Sequence, residues 1–404
     1  MYKIFEIKNT FTKVIYYKDI HVGFLTNNKL ELEDNFNEKL DKDFFEFIGN
    51  INDIYLGKKF NQEICLPNYV KKLAVNNLLS NWSEYLLDLD LREVVVRDLG
   101  CLPERLERLC MVVGKDVKFM GNLGVRSLVV YRFEEVGVFP YCKLGDNLRE
   151  LEVGSFGFDV KFDFGGLPGS LEVLKLGSNF VGEIDFIPLS LKRLIIKSHC
   201  FNGSLHNLKN TNLKELTITS KIFNQQISGI LPNTLEILRI KESNSFNQNM
   251  DFLPKNLKIL DLFVLHNFNQ ELNNLPNIRE LLLVSNSFKK PLEDLPGSLE
   301  VLYLDLSGYE VKFDNLPSSL KELVLHFSDN FYNIRGLGQI ERLVLRFYSD
   351  VNLNESFYDL PGSLRELVIN FFCCGLDLMR KYVSVIRNKY PNLKITSDQY
   401  IKNL

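Results

Sequence analysis

The sequence predicts a solenoid of short stacked coils. A parallel β-sheet should run down one side, short turns and irregular or short second strands down the other, and a helix should cap the C-terminal end. Three observations predict this. Leu-Pro recurs at Leu66-Pro67, Leu102-Pro103, Leu167-Pro168, Leu231-Pro232, Leu253-Pro254, Leu275-Pro276, Leu295-Pro296, Leu316-Pro317 and Leu360-Pro361, with Ile187-Pro188 at the same point in the pattern. After each comes a run close to L-x-x-L-x-L, as in Leu171-Glu172-Val173-Leu174-Lys175-Leu176. A few residues beyond the last strand leucine stands a phenylalanine–asparagine pair, at Phe60-Asn61, Phe201-Asn202, Phe223-Asn224, Phe246-Asn247 and Phe268-Asn269, with weaker copies beginning at Phe36, Phe180, Phe288 and Phe331.

The second leucine of the run can be followed through Leu30, Ile54, Leu73, Val94, Leu109, Leu128, Leu151, Leu174, Leu194, Leu216, Leu238, Leu260, Leu281, Leu302, Leu323, Leu343 and Leu367. From Leu174 to Leu343 the steps are 20 to 22 residues, which matches the period of leucine-rich repeats. Alternation in L-x-L is the strand period, so both leucines point inward and the residue between them points out. One such strand cannot bury its own apolar face, but stacked copies bury a continuous core. Each phenylalanine should stack on the next as an internal spine. Each asparagine should bond buried backbone groups where one coil meets the next.

The chain divides into residues 1–28 as a strand-rich N-terminal cap, 29–372 as the repeat array and 373–404 as a C-terminal cap. Leu376, Met379, Val383, Ile386 and Tyr390 are spaced as one face of a helix stopped by Pro391, and Leu393 and Ile395 read as an edge strand. The array should be irregular in its first half. An insertion containing Asn81-Trp82-Ser83-Glu84-Tyr85 holds the only tryptophan, and near the spine position of the following repeats stand Val117 and Val136.

The pattern L-P-x-x-L-x-x-L-x-L followed by F-N-x-x-I resembles the FNIP repeat family, a relative of leucine-rich repeats found in amoebae and in the large DNA viruses that infect them. The resemblance covers roughly residues 30 to 370 and is strongest from Leu167 to Pro296. It implies a protein-interaction scaffold and brings no catalytic motif. Some family members carry an N-terminal F-box, a helical module that joins a ubiquitin ligase. Residues 1–28 are too short and too strand-like for one.

Composition narrows the function. A formal net charge of −3 gives no basic field to hold nucleic acid by counterion release. Seven cysteines spread over 404 residues fit free thiols in a reducing compartment, so the expected setting is intracellular, in the cytoplasm of the host or producing cell, with the virion as a second location. Lys3, Glu6 and Lys8 interrupt any apolar leader, and no uncharged apolar run reaches the length of a membrane span. The single alanine, Ala74, argues against a helical protein.

Catalytic chemistry is sparse. His21, His199, His206, His266 and His326 fall in different repeats without a shared spacing. In His199-Cys200 the cysteine precedes a spine phenylalanine and reads as a buried small hydrophobe. Cys373-Cys374 lacks a second pair at zinc spacing. No phosphate-binding glycine loop, dinucleotide fingerprint or H-E-x-x-H occurs. Glu215, Glu280, Glu300, Glu322 and Glu366 recur at one repeat position and read as a solvated column, not an acid/base pair. No cofactor or metal is expected.

The sheet face is the informative surface. Lys175, Ile195, Thr217, Arg239 and Asp261 project outward in the middle of the array and are mostly polar. Leu282, Tyr303, Val324, Val344 and Val368 follow, and all are apolar. They are read either as plain strand propensity or as an exposed stripe for a partner, with His326, Arg342 and Arg346 in its polar rim. The expected function is therefore a non-enzymatic scaffold for a protein partner of unknown identity, with self-association through the stripe also open. The leading setting is a structural or host-interacting protein of a large DNA virus. Two rivals stand beside it: a ubiquitin-ligase substrate-recognition subunit, and an enzyme with its site in the irregular residues 76–151.

Overall fold

A computed structural model describes residues 2–6, 12–17, 20–62, 64–76, 82–96, 102–113, 123–133, 144–155, 162, 164–306, 313, 315–327, 337–348, 359–372 and 376–396. They fall into two units, residues 1–180 and 181–404, and each is built on a leucine-rich-repeat type of parallel β-solenoid.

The first unit opens as an antiparallel meander of β1 (Tyr2–Glu6), β2 (Thr12–Tyr17) and β3 (Ile20–Thr26). β4 (Lys29–Leu32) pairs antiparallel with β3 and parallel with β5 (Asp53–Tyr55), so the parallel sheet begins there. It continues through β6 (Lys72–Ala74), β7 (Asp88–Val96), β8 (Arg108–Val113), β9 (Ser127–Phe133), β10 (Glu150–Ser155) and β11 (Val173–Ser178). Opposite the sheet the described coils make isolated bridges, Leu40 with Ile64 and Leu123 with Leu144.

One register differs from the sequence reading. Leu89, not Val94, pairs with Leu73 and with Leu109, and the ladder slips between Leu91 and Val95. This coil is short, and the valine run that looked like its strand core lies beyond the irregularity. A short helix, α1 (Lys42–Ile48), was also not foreseen. Asp41 caps it, accepting from the Phe44 N–H at 3.1 Å, and Phe44, Phe45 and Ile48 fill its buried side.

The second unit runs β12 (Arg193–Lys197), β13 (Glu215–Thr219), β14 (Ile237–Lys241), β15 (Ile259–Phe263), β16 (Glu280–Ser285), β17 (Val301–Leu306), β18 (Glu322–Phe327), β19 (Arg342–Phe347) and β20 (Glu366–Phe371) in unbroken parallel register. The coil turns follow from L-P-x-x-L. The N–H of the last leucine returns to the proline carbonyl, as from Leu257 to Pro254 and from Leu320 to Pro317, both at 3.0 Å. The residue before that leucine is often Ser or Thr, and its hydroxyl donates to the coil above: Ser319 to Leu299 O at 2.7 Å, Thr234 to Leu213 O at 2.8 Å.

The phenylalanine spine is present. Phe201, Phe223, Phe246, Phe268 and Phe288 stack nearly parallel with centroids 5.9 to 6.1 Å apart, and all are fully buried. Beside it runs an unforeseen ladder of buried serines. The hydroxyls of Ser220, Ser243 and Ser285 donate to the carbonyls of Phe201, Phe223 and Phe268 at 2.7, 2.8 and 3.1 Å.

The asparagine ladder also exists, but outside the core. Asn202, Asn224 and Asn247 each accept, through Oδ1, the backbone N–H of the next coil's asparagine at 2.9 to 3.0 Å, on an exposed edge. The expected burial of these bonds is thus corrected. The side chain reaches sideways along the stack, where water also has access.

At the C-terminus, α2 (Leu376–Lys389) covers the last coil with Tyr382, Val383 and Ile386 buried. Tyr382 was absent from the predicted face. Tyr390 follows, and its hydroxyl accepts the Leu360 N–H at 2.9 Å. β21 (Lys394–Thr396) then pairs parallel with β20. Val117, Val136, Phe331, Asn81 and Cys373-Cys374 lie outside the described residues.

Candidate binding surface

On the outward face of the 181–404 unit each strand presents alternate residues, and registered strands align them into columns. The first part of this face neutralises itself. Glu215 lies 2.7 Å from both Arg193 and Arg239, and Lys241 lies 3.0 Å from Asp261. Thr217 and Asp261 are buried among these longer side chains.

The second part departs from the predicted stripe. Val324, Val344 and Val368 are 7%, 2% and 1% exposed, and they form one buried cluster against which the half-buried Tyr303 packs. An exposed apolar stripe is therefore not what this face offers. Strands about 4.8 Å apart bring the three valines into mutual contact, and longer side chains stand on both sides. On one side Arg342 bridges Glu322 and Glu366, the latter at 3.0 Å, and Lys394 adds a 2.7 Å bond to Glu366. Arg342 belongs to this ladder and is not a free rim charge. Leu282 is half-buried and Glu280 exposed.

On the other side stands a cluster that joins three of the predicted residues, Tyr303, His326 and Arg346. His326 is only 5% exposed. Its Nε2 lies 2.5 Å from the Tyr303 hydroxyl and 3.1 Å from an Arg346 guanidinium nitrogen. Nε2 thus sits between the Tyr303 hydroxyl and a guanidinium that can only donate. Nδ1 faces Asp305 Oδ2 at 3.1 Å. Burial, with Asp305 nearby, pushes the Tyr303 phenol up to about 12, so it stays protonated, and the Arg346 guanidinium hydrogen-bonds it. The guanidinium carbon of Arg346 lies 5.9 Å from the centre of the Tyr303 ring.

Two aromatic residues complete the cluster, and the sequence reading missed both. Tyr348 and Phe372 are 41% and 37% exposed, and they stack on each other at 4.4 Å and 9°. Tyr348 also lies 5.4 Å from the His326 ring. The signal was available in Phe347-Tyr348 and Phe371-Phe372. In a strand, adjacent residues face opposite ways. Phe347 is fully buried, and its neighbour is correspondingly outside.

The described residues of the irregular region 76–151 bring polar groups together around Asp88 and Asp90. Arg108 pairs with Asp88 at 3.3 Å, and the Tyr131 hydroxyl donates to Asp90 Oδ2 at 3.1 Å. Burial pushes the Cys110 thiol up to about 11 and raises the Tyr131 phenol, so both stay protonated at neutral pH. Cys200, expected to be buried, is exposed. His206 is engaged locally with the Ser204 hydroxyl at 2.7 Å. A cavity of about 370 Å³ opens elsewhere in the first unit, lined by His21, Val22, Glu33, Asn35, Phe36, Asn37 and Glu38. Among the described residues no His, Cys, Asp or Glu group is placed to hold a metal ion, and no helix is long and apolar enough to cross a membrane.

Comparison with known proteins bears on the fold. No protein-family model matches the chain, and neither does any curated protein. Among solved structures it is similar to CroV588, described as a novel circular LRR protein, with a TM-score of 0.51 and 23% identity over 86% of this chain and 60% of that one. The chain thus spans 60% of the length of CroV588. An internalin, inlF, from Listeria monocytogenes aligns at a TM-score of 0.37 and 16% identity over 92% of this chain and 87% of that one.

Proposed function

We propose that the chain is a non-enzymatic protein-interaction scaffold of the FNIP-repeat type, and that it binds its partner through the outward face of β17 to β20. The observation that carries this is the Tyr348–Phe372 stack. Two large aromatic side chains stand exposed beside a half-buried tyrosine and an arginine, on a face whose remaining residues are largely tied up by their neighbours. Tyrosine and arginine are among the residue types that most often anchor interfaces. Stacked repeats also supply the rigid, extended surface that such binding needs. The Phe-Asn spine and ladder support FNIP membership, and similarity to CroV588 supports the leucine-rich-repeat fold; the setting proposed with it, on the FNIP resemblance alone, is a structural or host-interacting protein of a large DNA virus, acting inside the host or producing cell. Function here is read from the site, since a fold alone does not carry it.

The test is affinity capture from the native source with mass spectrometry, comparing the unmodified chain with a Tyr348→Ser, Phe372→Ser double variant. Partners should be lost from the double variant while its melting temperature moves little. An unchanged partner set would remove this face from the reading.

A further inference from the structure

Most basic side chains on the outward face of the 181–404 unit are neutralised by the neighbouring coil. Arg193 and Arg239 share Glu215, Lys241 holds Asp261, Arg342 sits between Glu322 and Glu366, and Lys394 also holds Glu366. Arg346 is different. Its guanidinium contacts the His326 imidazole at 3.1 Å and the edge of the Tyr303 site, and among the described residues no carboxylate stands within ion-pairing distance of it. Asp305, the carboxylate bonded into this cluster, is engaged by His326 Nδ1 at 3.1 Å. A guanidinium carries five N–H donors in a planar fork, and one imidazole nitrogen with one phenol oxygen cannot satisfy them all. The fork is also held in place. His326 is buried and tied to Asp305 and Tyr303, so Arg346 rests on a fixed platform and loses little further freedom on binding. Next to it lies the exposed, parallel Tyr348–Phe372 stack.

We propose that this cluster docks an acidic peptide segment that carries an aromatic or large apolar side chain beside its carboxylate. The carboxylate takes the open fork of Arg346 in a bidentate, charge-assisted pair. The apolar side chain covers the Tyr348–Phe372 stack. The ion-paired part of the face, around Glu215 and Asp261, offers no exposed aromatic stack beside a guanidinium and serves as comparison surface. This inference rests on the scaffold reading above and specifies the chemistry of its partner.

Fluorescence anisotropy with the purified full chain tests it, using a short labelled peptide that alternates glutamate with phenylalanine. Replacing glutamate by glutamine, or phenylalanine by alanine, should each weaken binding about tenfold or more, the scale of one lost charge-assisted contact. Arg346→Gln should abolish the preference for glutamate over glutamine. Arg342→Gln, whose charge is already matched by two carboxylates, should keep that preference within about twofold. Glutamate and glutamine peptides binding the unmodified chain equally would overturn the proposal, and that comparison holds even if Arg346→Gln fails to fold. A single-stranded oligonucleotide that outcompetes the peptide would also overturn it, by assigning the site to phosphate. Native partners separate the two levels of the reading. Partners kept by Arg346→Gln but lost from the Tyr348→Ser, Phe372→Ser variant would sink the acidic-peptide inference and leave the scaffold reading standing. Partners kept by both variants would sink both.

Discussion

Phe246→Ala separates the two ladders that run through the repeats. Phe246 is fully buried, with Phe223 5.9 Å away on one side and Phe268 5.9 Å away on the other. Truncation to alanine removes a whole ring from a filled stack, and Phe-to-Ala changes in cores cost about 3–5 kcal/mol. The upper half of that range is expected, because two ring contacts are lost at once, each worth about 0.5–1.5 kcal/mol beyond burial. Asn247→Ala is the contrast. Its Oδ1 accepts from the Asn269 N–H at 3.0 Å and from Gln270 Nε2 at 2.9 Å, but on an exposed edge where water can replace it. A loss of about 0.5–1.5 kcal/mol is expected, the net value of one ordinary hydrogen bond. Urea unfolding gives the global comparison. Hydrogen exchange gives the local one, since a repeat array can open coil by coil and need not be two-state. Protection should fall most in the coils of Phe223, Phe246 and Phe268. Equal losses in the two variants, or less than about 1 kcal/mol for Phe246→Ala, would refute the assignment of the phenylalanine to the core and the asparagine to the rim.

Ser243→Ala should cost about 1–3 kcal/mol, more than Asn247→Ala, because its buried hydroxyl donates to Phe223 O at 2.8 Å and accepts the Phe246 N–H at 3.1 Å; a thermal melt that ranks them the other way contradicts the serine ladder. Removing residues 376–404 strips β21 and the helix that buries Tyr382, Val383 and Ile386, and light scattering after size exclusion should show aggregation with the strand signal retained. A soluble monomer would mean that the last coil needs no cover. Glu366 is held below the usual carboxylate range, first by its Lys394 hydrogen bond and then by Arg342. A depressed folded-state pKa means that its stabilisation is present above the unfolded value of about 4.3 and fades as pH falls through the folded value. The melting difference between the unmodified chain and Glu366→Gln should therefore shrink on acidification below about pH 4.3, and a difference that stays constant there would show the ladder to be inert.

The inward half of the fold was legible because burial there is fixed by the chain's own period. Leu216, Leu238 and Leu260 face the core whatever their neighbours are, since alternation leaves them no other side, and the steps of 20 to 22 residues bring them into one row. The exceptions are places where the period is ambiguous. In Leu87-Asp88-Leu89-Asp90-Leu91 followed by Val94-Val95-Val96, two apolar runs compete for one strand core, and the expected spacing favoured the later one. Pairing of Leu89 with Leu73 makes the step 16 residues, a shortened coil that no local rule announces. α1 was hidden for a related reason. Asp41 and the Phe44, Phe45, Ile48 spacing are ordinary helix signals, but they interrupt an array in which every other signal reads as strand and turn.

The outward half was not legible in the same way, because exposure there is decided across strands and not along them. Val324, Val344 and Val368 do point out of the sheet, as alternation requires, yet they are buried. Registered coils put three small side chains side by side, with Glu322, Arg342 and Glu366 two positions earlier and His326, Arg346 and Asn370 two positions later. A row of valines between a Glu322–Arg342–Glu366 ladder and a Tyr303–His326–Arg346 cluster becomes a second small core on the far side of the sheet. The same logic places the exposed aromatic surface toward the end of the strands. The alternation that buries Phe347 leaves Tyr348 outside, and among the described residues no longer side chain beyond His326 and Arg346 covers Tyr348 or Phe372. The exposed aromatic surface is therefore set by where the cross-strand ladders stop. Within them Arg342 is matched on both sides, whereas Arg346, at the aromatic end, faces an imidazole and a phenol where Arg342 faces two carboxylates.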